Sequence, residues 1–146
     1  MRGYFAVGIE NPKKEVNIGT LWRSAYSFGA SFIFTIGNKY HKQSSDTTVA
    51  YKSIPLFHYT SFGDFYEKIP LDSYLVGVEL LPEAREIKNF CHPDRAIYLL
   101  GNESVGLSKE ALDKCHLLVK IPGKYCLNVS IAGTILLYDR INKSKT

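Results

Sequence analysis

The sequence predicts an α/β fold built on a mostly parallel sheet, and three observations carry that expectation. Short apolar runs of strand length alternate with segments whose apolar residues recur every three to four positions. The chain has 146 residues, 45% of them hydrophobic and 22% charged, enough to bury a core without staples. No internal repeat, low-complexity tract or linker divides it, so residues 1–146 read as a single domain.

Tyr4–Ile9 is the expected first strand, and the stretch from Met1 to Ile9 is too brief for a signal peptide. Residues 17–28 read as a helix with Ile18, Leu21, Ala25 and Phe28 on one face, Asn17 at the cap position and Gly29 as its stop. Ser31–Ile36 is a second strand, and residues 37–53, polar and turn-rich, read as a long surface loop. Pro55–His58 reads as a short strand, Phe62–Lys68 as a short helix, and Ser73–Val78 and Ala96–Leu100 as buried strands. Ser108–Lys114 is a helix capped by Ser108, with Ala111 and Leu112 facing in. Leu117–Ile121 is a last strand, and Asn128–Asn142 a closing helix with Ile131, Ile135 and Tyr138 in register.

Composition excludes several classes. The apolar fraction excludes disorder, and no apolar run approaches membrane-spanning length. Three cysteines (Cys91, Cys115, Cys126) without C-x-x-C spacing argue against disulfides and zinc, and favour a reduced, cytoplasmic setting. His41, His58, His92 and His116 lie in separate segments without ligand spacing and read as surface or loop residues, so no metal is expected. Net charge is +4, unevenly spread: residues 1–60 hold seven basic and three acidic residues, 61–113 five and ten, and 114–146 six and one. If the basic ends meet in space they form a surface suited to a polyanion, although an ordinary solvated surface explains so modest a charge equally well.

In parallel α/β sheets ligands gather beyond the carboxyl ends of the strands, and three segments sit where such loops belong. The first is Asn17-Ile18-Gly19-Thr20-Leu21-Trp22-Arg23-Ser24-Ala25. Here Asn17 reads as a helix cap, Trp22 as packing, and Arg23, off the apolar face, as a surface arginine. The second, Tyr98-Leu99-Leu100-Gly101-Asn102-Glu103-Ser104-Val105-Gly106-Leu107-Ser108, takes a strand through a turn bracketed by glycines into a capped helix. Its G-x-x-x-x-G spacing lacks the Lys-Ser/Thr of a nucleotide phosphate loop, and no G-x-G-x-x-G follows a strand. Glu103 is either a turn anchor or a site residue. The third, Ile121-Pro122-Gly123-Lys124-Tyr125-Cys126-Leu127-Asn128-Val129-Ser130-Ile131-Ala132, runs through a Pro-Gly turn into the closing helix, and Asn128 and Ser130 read as helix initiators.

Together these segments resemble the SpoU-type (TrmH-like) branch of the SPOUT RNA methyltransferases. The first looks like the family's N-x-G-x-x-x-R-x-A motif at Asn17, Gly19, Arg23 and Ala25. The second is similar to L-x-G-x-E-x-x-G-L at Leu99, Gly101, Glu103, Gly106 and Leu107. The third resembles I-P…L-N-V-S-x-A at Ile121, Pro122, Leu127, Asn128, Val129, Ser130 and Ala132. The resemblance spans nearly the whole chain, with its motifs in order.

The resemblance implies a parallel-sheet fold with a C-terminal trefoil knot. It implies S-adenosyl-L-methionine as cofactor, held at Gly101, Ile121 and Leu127, with Val78 as a further candidate. The implied activity is methyl transfer to a ribose 2′-hydroxyl of tRNA or rRNA, by a homodimer whose site the partner chain completes. Arg23 then positions RNA phosphate and stabilises charge on the hydroxyl, since a permanently charged arginine is an awkward base. Asn17 orients Arg23 or the ribose, Glu103 and Asn128 hold the loops and the target nucleotide, and Lys39, Lys42 and Lys52 are candidate phosphate contacts. A chain that begins at its first strand and ends soon after its last helix resembles minimal members that act on tRNA, which makes tRNA the first expectation.

Two departures stand out: Cys126 occupies the place of the family's usual Ser, and the stretch from Pro122 to Leu127 is short. The substitution keeps open a catalytically silent RNA-binding relative. A small-molecule enzyme sharing only the knot is a third reading, against which the basic ends and the Asn17/Arg23 motif weigh.

Overall fold

The computed structural model describes residues 3–38 and 53–144. Lys39, Lys42 and Lys52, and most of the expected 37–53 loop, lie outside the described residues. Strands β1 (Tyr4–Glu10), β2 (Phe32–Ile36), β3 (Leu56–Tyr59), β4 (Tyr74–Val78), β5 (Arg85–Glu86), β6 (Arg95–Leu100) and β7 (Leu117–Lys120) form one sheet in the order β3-β2-β1-β6-β4-β7-β5. Every strand pair in it is parallel. Helices α1 (Glu15–Phe28), α2 (Phe62–Lys68), α3 (Lys109–Lys114) and α4 (Val129–Lys143) complete the described architecture, with a 3₁₀ turn at Ile87–Asn89.

Period-two geometry sorts the strand side chains into two cores. Phe5, Val7 and Ile9 of β1 and Ala96, Tyr98 and Leu100 of β6 point to one face, where Ile18, Leu21 and Ala25 of α1 and Leu136 and Leu137 of α4 cover them. Ala6 of β1 and Ile97 and Leu99 of β6 point to the other, beneath Phe62 and Phe65 of α2 and Ala111 of α3. Both faces are thus apolar, which is why the central strands read as continuous hydrophobic runs.

Helices α1 and α4 approach closely. A Cβ at Gly133 would lie 2.6 Å from Leu21 Cδ1, so glycine is what lets α4 settle on α1. Ser24 Oγ and Thr134 Oγ1 share a hydrogen bond of 2.7 Å across the same contact.

Most expected elements form within one or two residues of their anticipated bounds, but several details differ. Helix α1 begins at Glu15, so Asn17 lies inside its first turn and is not its cap; the cap position is Lys14, whose side chain makes no capping bond. The buried face of α4 is Val129, Ser130, Gly133, Leu136, Leu137 and Arg140, whereas Ile131, Ile135 and Tyr138 form an exposed stripe. Two apolar stripes coexist on that helix, and periodicity could not say which one meets the sheet. Strand β5 is only two residues long and carries no hydrophobic alternation; its pairing with Val119 and Lys120 of β7 creates it.

His92 is not a surface residue: its side chain is 2% exposed and sits in a buried polar chain. Arg140 Nη1 donates to Tyr98 Oη at 3.0 Å, Tyr98 Oη lies 2.6 Å from His92 Nδ1, and His92 Nε2 lies 2.7 Å from Asp139 Oδ2. The Asp139 carboxylate only accepts, which puts the N–H of the neutral imidazole on Nε2; Nδ1 then accepts from the Tyr98 hydroxyl, whose oxygen accepts from Arg140. Burial lowers the His92 pKa; Asp139 opposes the shift, while the charges of Arg140 and Lys143 add to it. Burial pushes the Tyr98 phenol up to about 12.

Candidate functional site

All strands being parallel, their carboxyl ends deliver the following loops to one edge of the sheet. There the loops after β4, β6 and β7 and the start of α4 enclose a cavity of about 580 Å³. That volume lies in the range of small-molecule sites. Val78, Gly101, Ile121 and Leu127 all line it, as do Glu103 and Asn128.

The turn after β6 shapes one wall. A Cβ on Gly101 would stand 2.2 Å from the Gly106 carbonyl carbon and 2.4 Å from the Leu107 nitrogen, so only glycine allows the turn to fold back on itself. Gly106, at φ +73°, takes the left-handed conformation that the reversal needs. Helix α3 follows, capped as anticipated by Ser108, whose Oγ accepts from Ala111 N. The same serine donates through N and Oγ to the buried carboxylate of Glu10 at the end of β1, at 2.8 and 2.7 Å. The carboxyl end of β1 is thereby tied to the helix beside the cavity.

A hydrogen-bonded brace joins the three sequence motifs. Asn17 Nδ2 donates to Glu103 Oε1 at 3.0 Å, and Lys13 N donates to Glu103 Oε2 at 3.0 Å. Asn128 Nδ2 donates to Asn17 Oδ1 at 3.1 Å. Asn128 Oδ1 meanwhile accepts from Ser130 N and Ile131 N, at 2.9 and 3.2 Å, and so caps α4. Ser130 Oγ lies 2.6 Å from Asn128 Oδ1 and 3.4 Å from Asn17 Oδ1, and its single hydrogen favours the shorter contact. The capping and site readings of Asn128 therefore both hold: its carbonyl starts the helix while its amide links the motifs.

Glu103 also pins the chain that leads into α1. Its carboxylate accepts from Lys13 N, one residue before the cap position and 90 residues away in sequence, at the end of the helix where the dipole favours negative charge. Burial raises its pKa, but the Asn17 amide and the surrounding backbone N–H groups outweigh that and leave it lowered. An ionised carboxylate with both oxygens engaged is a brace and a poor proton acceptor.

Arg23 stands apart. It is solvent-exposed on α1 and does not line the cavity. Cys126 is exposed and lies on the cavity wall. Four lining residues escaped the sequence reading: Lys14, Glu79, Leu80 and Leu81. Glu79 directly follows Val78, so extending the strand-end argument by one residue would have found it. Ser130, read only as a helix initiator, is 4% exposed and part of the brace. Among the described residues no group of three or more His, Cys, Asp or Glu could hold a metal, and no helix is long and apolar enough to cross a membrane.

A doubly wound parallel sheet with a small-molecule cavity at its carboxyl edge, braced by an Asn–Glu–Asn network from the first turn of α1, the turn after β6 and the cap of α4, has the architecture of a ligand-binding α/β domain. The model of the SpoU rRNA Methylase family matches residues 4–138, and the chain belongs to that family. It is similar to an uncharacterized tRNA/rRNA methyltransferase of Archaeoglobus fulgidus, 28% identical over 144 residues, covering 93% of this chain and 63% of that protein. It is also similar to the tRNA (guanosine(18)-2′-O)-methyltransferase of Mus musculus, 21% identical over 86% of this chain but only 8% of that protein. The chain thus spans less than two-thirds of either relative. Among solved structures, the SpoU methyltransferase AviRb of Streptomyces viridochromogenes, in complex with AdoMet, superposes with a TM-score of 0.88 at 24% identity, over 98% of this chain and 58% of that one. The TrmH/SpoU tRNA modifying enzyme of A. aeolicus gives 0.85 at 21% identity, over 97% and 76%. These two likenesses establish the fold.

Proposed function

We propose that this chain is an S-adenosylmethionine-dependent RNA methyltransferase that modifies a ribose 2′-hydroxyl of tRNA or rRNA, with tRNA favoured. The observation that carries the reading is the Asn17–Glu103–Asn128 brace, which gathers three motifs at the edge of a cavity of fitting size. The relatives named for tRNA motivate the substrate.

The cavity suits an adenosyl ligand: apolar Val78, Leu100, Ile121 and Leu127 surround the tight turn in which Gly101 brings backbone close to the ligand space. In this reading Val78, Gly101, Ile121 and Leu127 hold the cofactor, which when bound supplies a sulfonium methyl already activated for transfer. The protein's own work is alignment and charge. Arg23, permanently cationic, holds an RNA phosphate and stabilises negative charge growing on the 2′ oxygen. Asn17 and Asn128 fix the mouth of the site, and Glu103 holds the head of α1 so that Arg23 projects at a set angle. Lys39, Lys42 and Lys52 add phosphate contacts.

The proposed assembly is a homodimer. Arg23 does not line the cavity of its own chain, so the partner's Arg23 completes the site. The exposed stripe of Ile131, Ile135 and Tyr138, at 51%, 37% and 58% exposure, supports a self-association face. A C-terminal trefoil knot belongs to the same reading, supported by the order β1-β6-β4-β7, in which the late strands lie beside earlier ones. So does a cytoplasmic setting, supported by three free cysteines.

The test uses radiolabelled S-adenosylmethionine with unmodified tRNA and rRNA, followed by alkaline hydrolysis. Label in alkali-resistant dinucleotides from the tRNA pool is expected, because a 2′-O-methyl group blocks cleavage at its own linkage. Label released as mononucleotides would overturn the 2′-hydroxyl assignment. Neither transfer nor cofactor binding would favour a catalytically silent RNA-binding relative, the reading that exposed Cys126 on the cavity wall keeps in view.

A further inference from the structure

Glu79 is the lining residue for which the brace has no use. Its backbone is pinned on both sides: its N–H donates to Val119 O at 3.1 Å, and its C=O accepts from Leu81 N at 3.0 Å. Its side chain is pinned once, where Oε1 accepts from Leu107 N at 2.7 Å. Gly106 makes room for that contact, since a Cβ there would stand 2.1 Å from Oε1. The second oxygen, Oε2, has no hydrogen-bond partner among the described residues, and no cation pairs with the carboxylate among them. The other acidic lining residue, Glu103, has both oxygens engaged. The cavity therefore holds one rigid carboxylate with acceptor capacity to spare, in a wall otherwise rich in Val78, Leu80, Leu81 and Leu100.

A carboxylate offers about four acceptor directions, and Leu107 uses one. A fixed acceptor in an apolar wall selects a ligand that brings hydroxyl or N–H groups to it, because an unsatisfied donor there forfeits its hydration. Acidic groups near the carboxyl ends of parallel strands hold ribose hydroxyls in the dinucleotide folds by the same chemistry. We propose that Glu79 accepts hydrogen bonds from the vicinal 2′- and 3′-hydroxyls of the cofactor's ribose and so selects a ribonucleoside ligand. The inference rests on the cofactor reading above and adds to it the residue that distinguishes ribose from deoxyribose.

The test is calorimetric and needs no RNA. S-adenosylhomocysteine, its 2′-deoxy analogue and 5′-methylthioadenosine are titrated into the unsubstituted protein and into Glu79→Gln. Glutamine keeps a carbonyl acceptor for Leu107 N, and thermal melting checks that the variant is folded. The unsubstituted protein is expected to bind S-adenosylhomocysteine roughly tenfold or more tightly than the deoxy analogue, the span of one or two charge-assisted hydrogen bonds. Glu79→Gln should lose most of that preference and bind 5′-methylthioadenosine more weakly by a similar factor. Equal affinity of the unsubstituted protein for the ribose and deoxyribose ligands overturns the inference, whatever the variant does. Weakening confined to S-adenosylhomocysteine, with 5′-methylthioadenosine unaffected, also overturns it and assigns Glu79 to the amino-acid end. No binding of any of the three ligands overturns the cofactor reading itself, and this inference with it.

Discussion

Replacing Asn17 with alanine removes the hub of the brace, and its cost can be worked from the bonds it makes. Asn17 is 3% exposed, donates to Glu103 at 3.0 Å and accepts from Asn128 at 3.1 Å. The first bond is charge-assisted, a class worth about 1.5–3 kcal/mol, and solvent access to Glu103 places it at the lower end. The second is neutral, worth about 1 kcal/mol, and its loss leaves the Asn128 amide to find water. The sum is about 2–3 kcal/mol, which for a domain of this size is a fall in Tm of about 5–10 °C. Thermal melting at fixed protein concentration and neutral pH reads it directly. The pH dependence gives an independent check. The folded pKa of Glu103 lies below its ordinary value of 4.5, so its stabilisation is present above that pH and is lost as pH falls through the folded value. Asn17→Ala should shrink this acid-sensitive component, because the Asn17 amide is the largest of the lowering influences. A Tm within about 2 °C of the parent, with an unchanged acid limb, would refute the view that the brace is energetically coupled.

Other outcomes follow from the same geometry. Gly101→Val should reduce S-adenosylmethionine affinity by an order of magnitude or more and destabilise the chain, since its Cβ would overlap Gly106 backbone at 2.2 Å; normal affinity by calorimetry would mean the cavity is misassigned. Arg23→Ala should abolish methyl transfer to RNA while leaving cofactor affinity and Tm nearly unchanged, because Arg23 is exposed and off the cavity wall; retained transfer would discard its role. Ile135→Glu places charge in the middle of the exposed stripe of α4 and should yield monomer by light scattering; an unaltered dimer would move the interface elsewhere. His92, with its folded pKa below 6.5, binds its proton less readily folded than unfolded, so stability should fall as pH drops from about 6.5 toward the folded value. His92→Gln should flatten that limb in urea titrations, and an unchanged slope would reject the buried neutral imidazole.

The strands and helices were legible because both faces of the sheet are apolar and the helices between them follow a helical period. Val78, Gly101, Ile121 and Leu127 are singled out by the family resemblance, and the sheet explains why they line one cavity: Val78 ends β4, Gly101 follows β6, and Ile121 and Leu127 lie in the connection from β7 to α4. What misled was local capping logic. Asn17 has the residue type of a cap, yet it lies inside the first turn of α1, where its side chain bridges Glu103 and Asn128 from two other motifs. No local window contains that information. His92 misled for the same reason: its partners Tyr98 and Asp139 lie 6 and 47 residues away, and only their convergence makes burial of an imidazole tolerable.

By itself, the order of residues determined an α/β class with a parallel sheet and set Asn17, Glu103 and Asn128 in three separate motifs. Periodicity and residue type are properties of short segments, and those conclusions need nothing longer. Only the tertiary structure decided which stripe of α4 packs inward, that Glu103 pins the chain entering α1, that Arg23 lies outside its own cavity, and that one Glu79 carboxylate oxygen there has no partner among the described residues. Each of these depends on hydrogen bonds or contacts between residues distant in sequence. Their partners are chosen by the geometry of the assembled sheet and are not written in either segment alone.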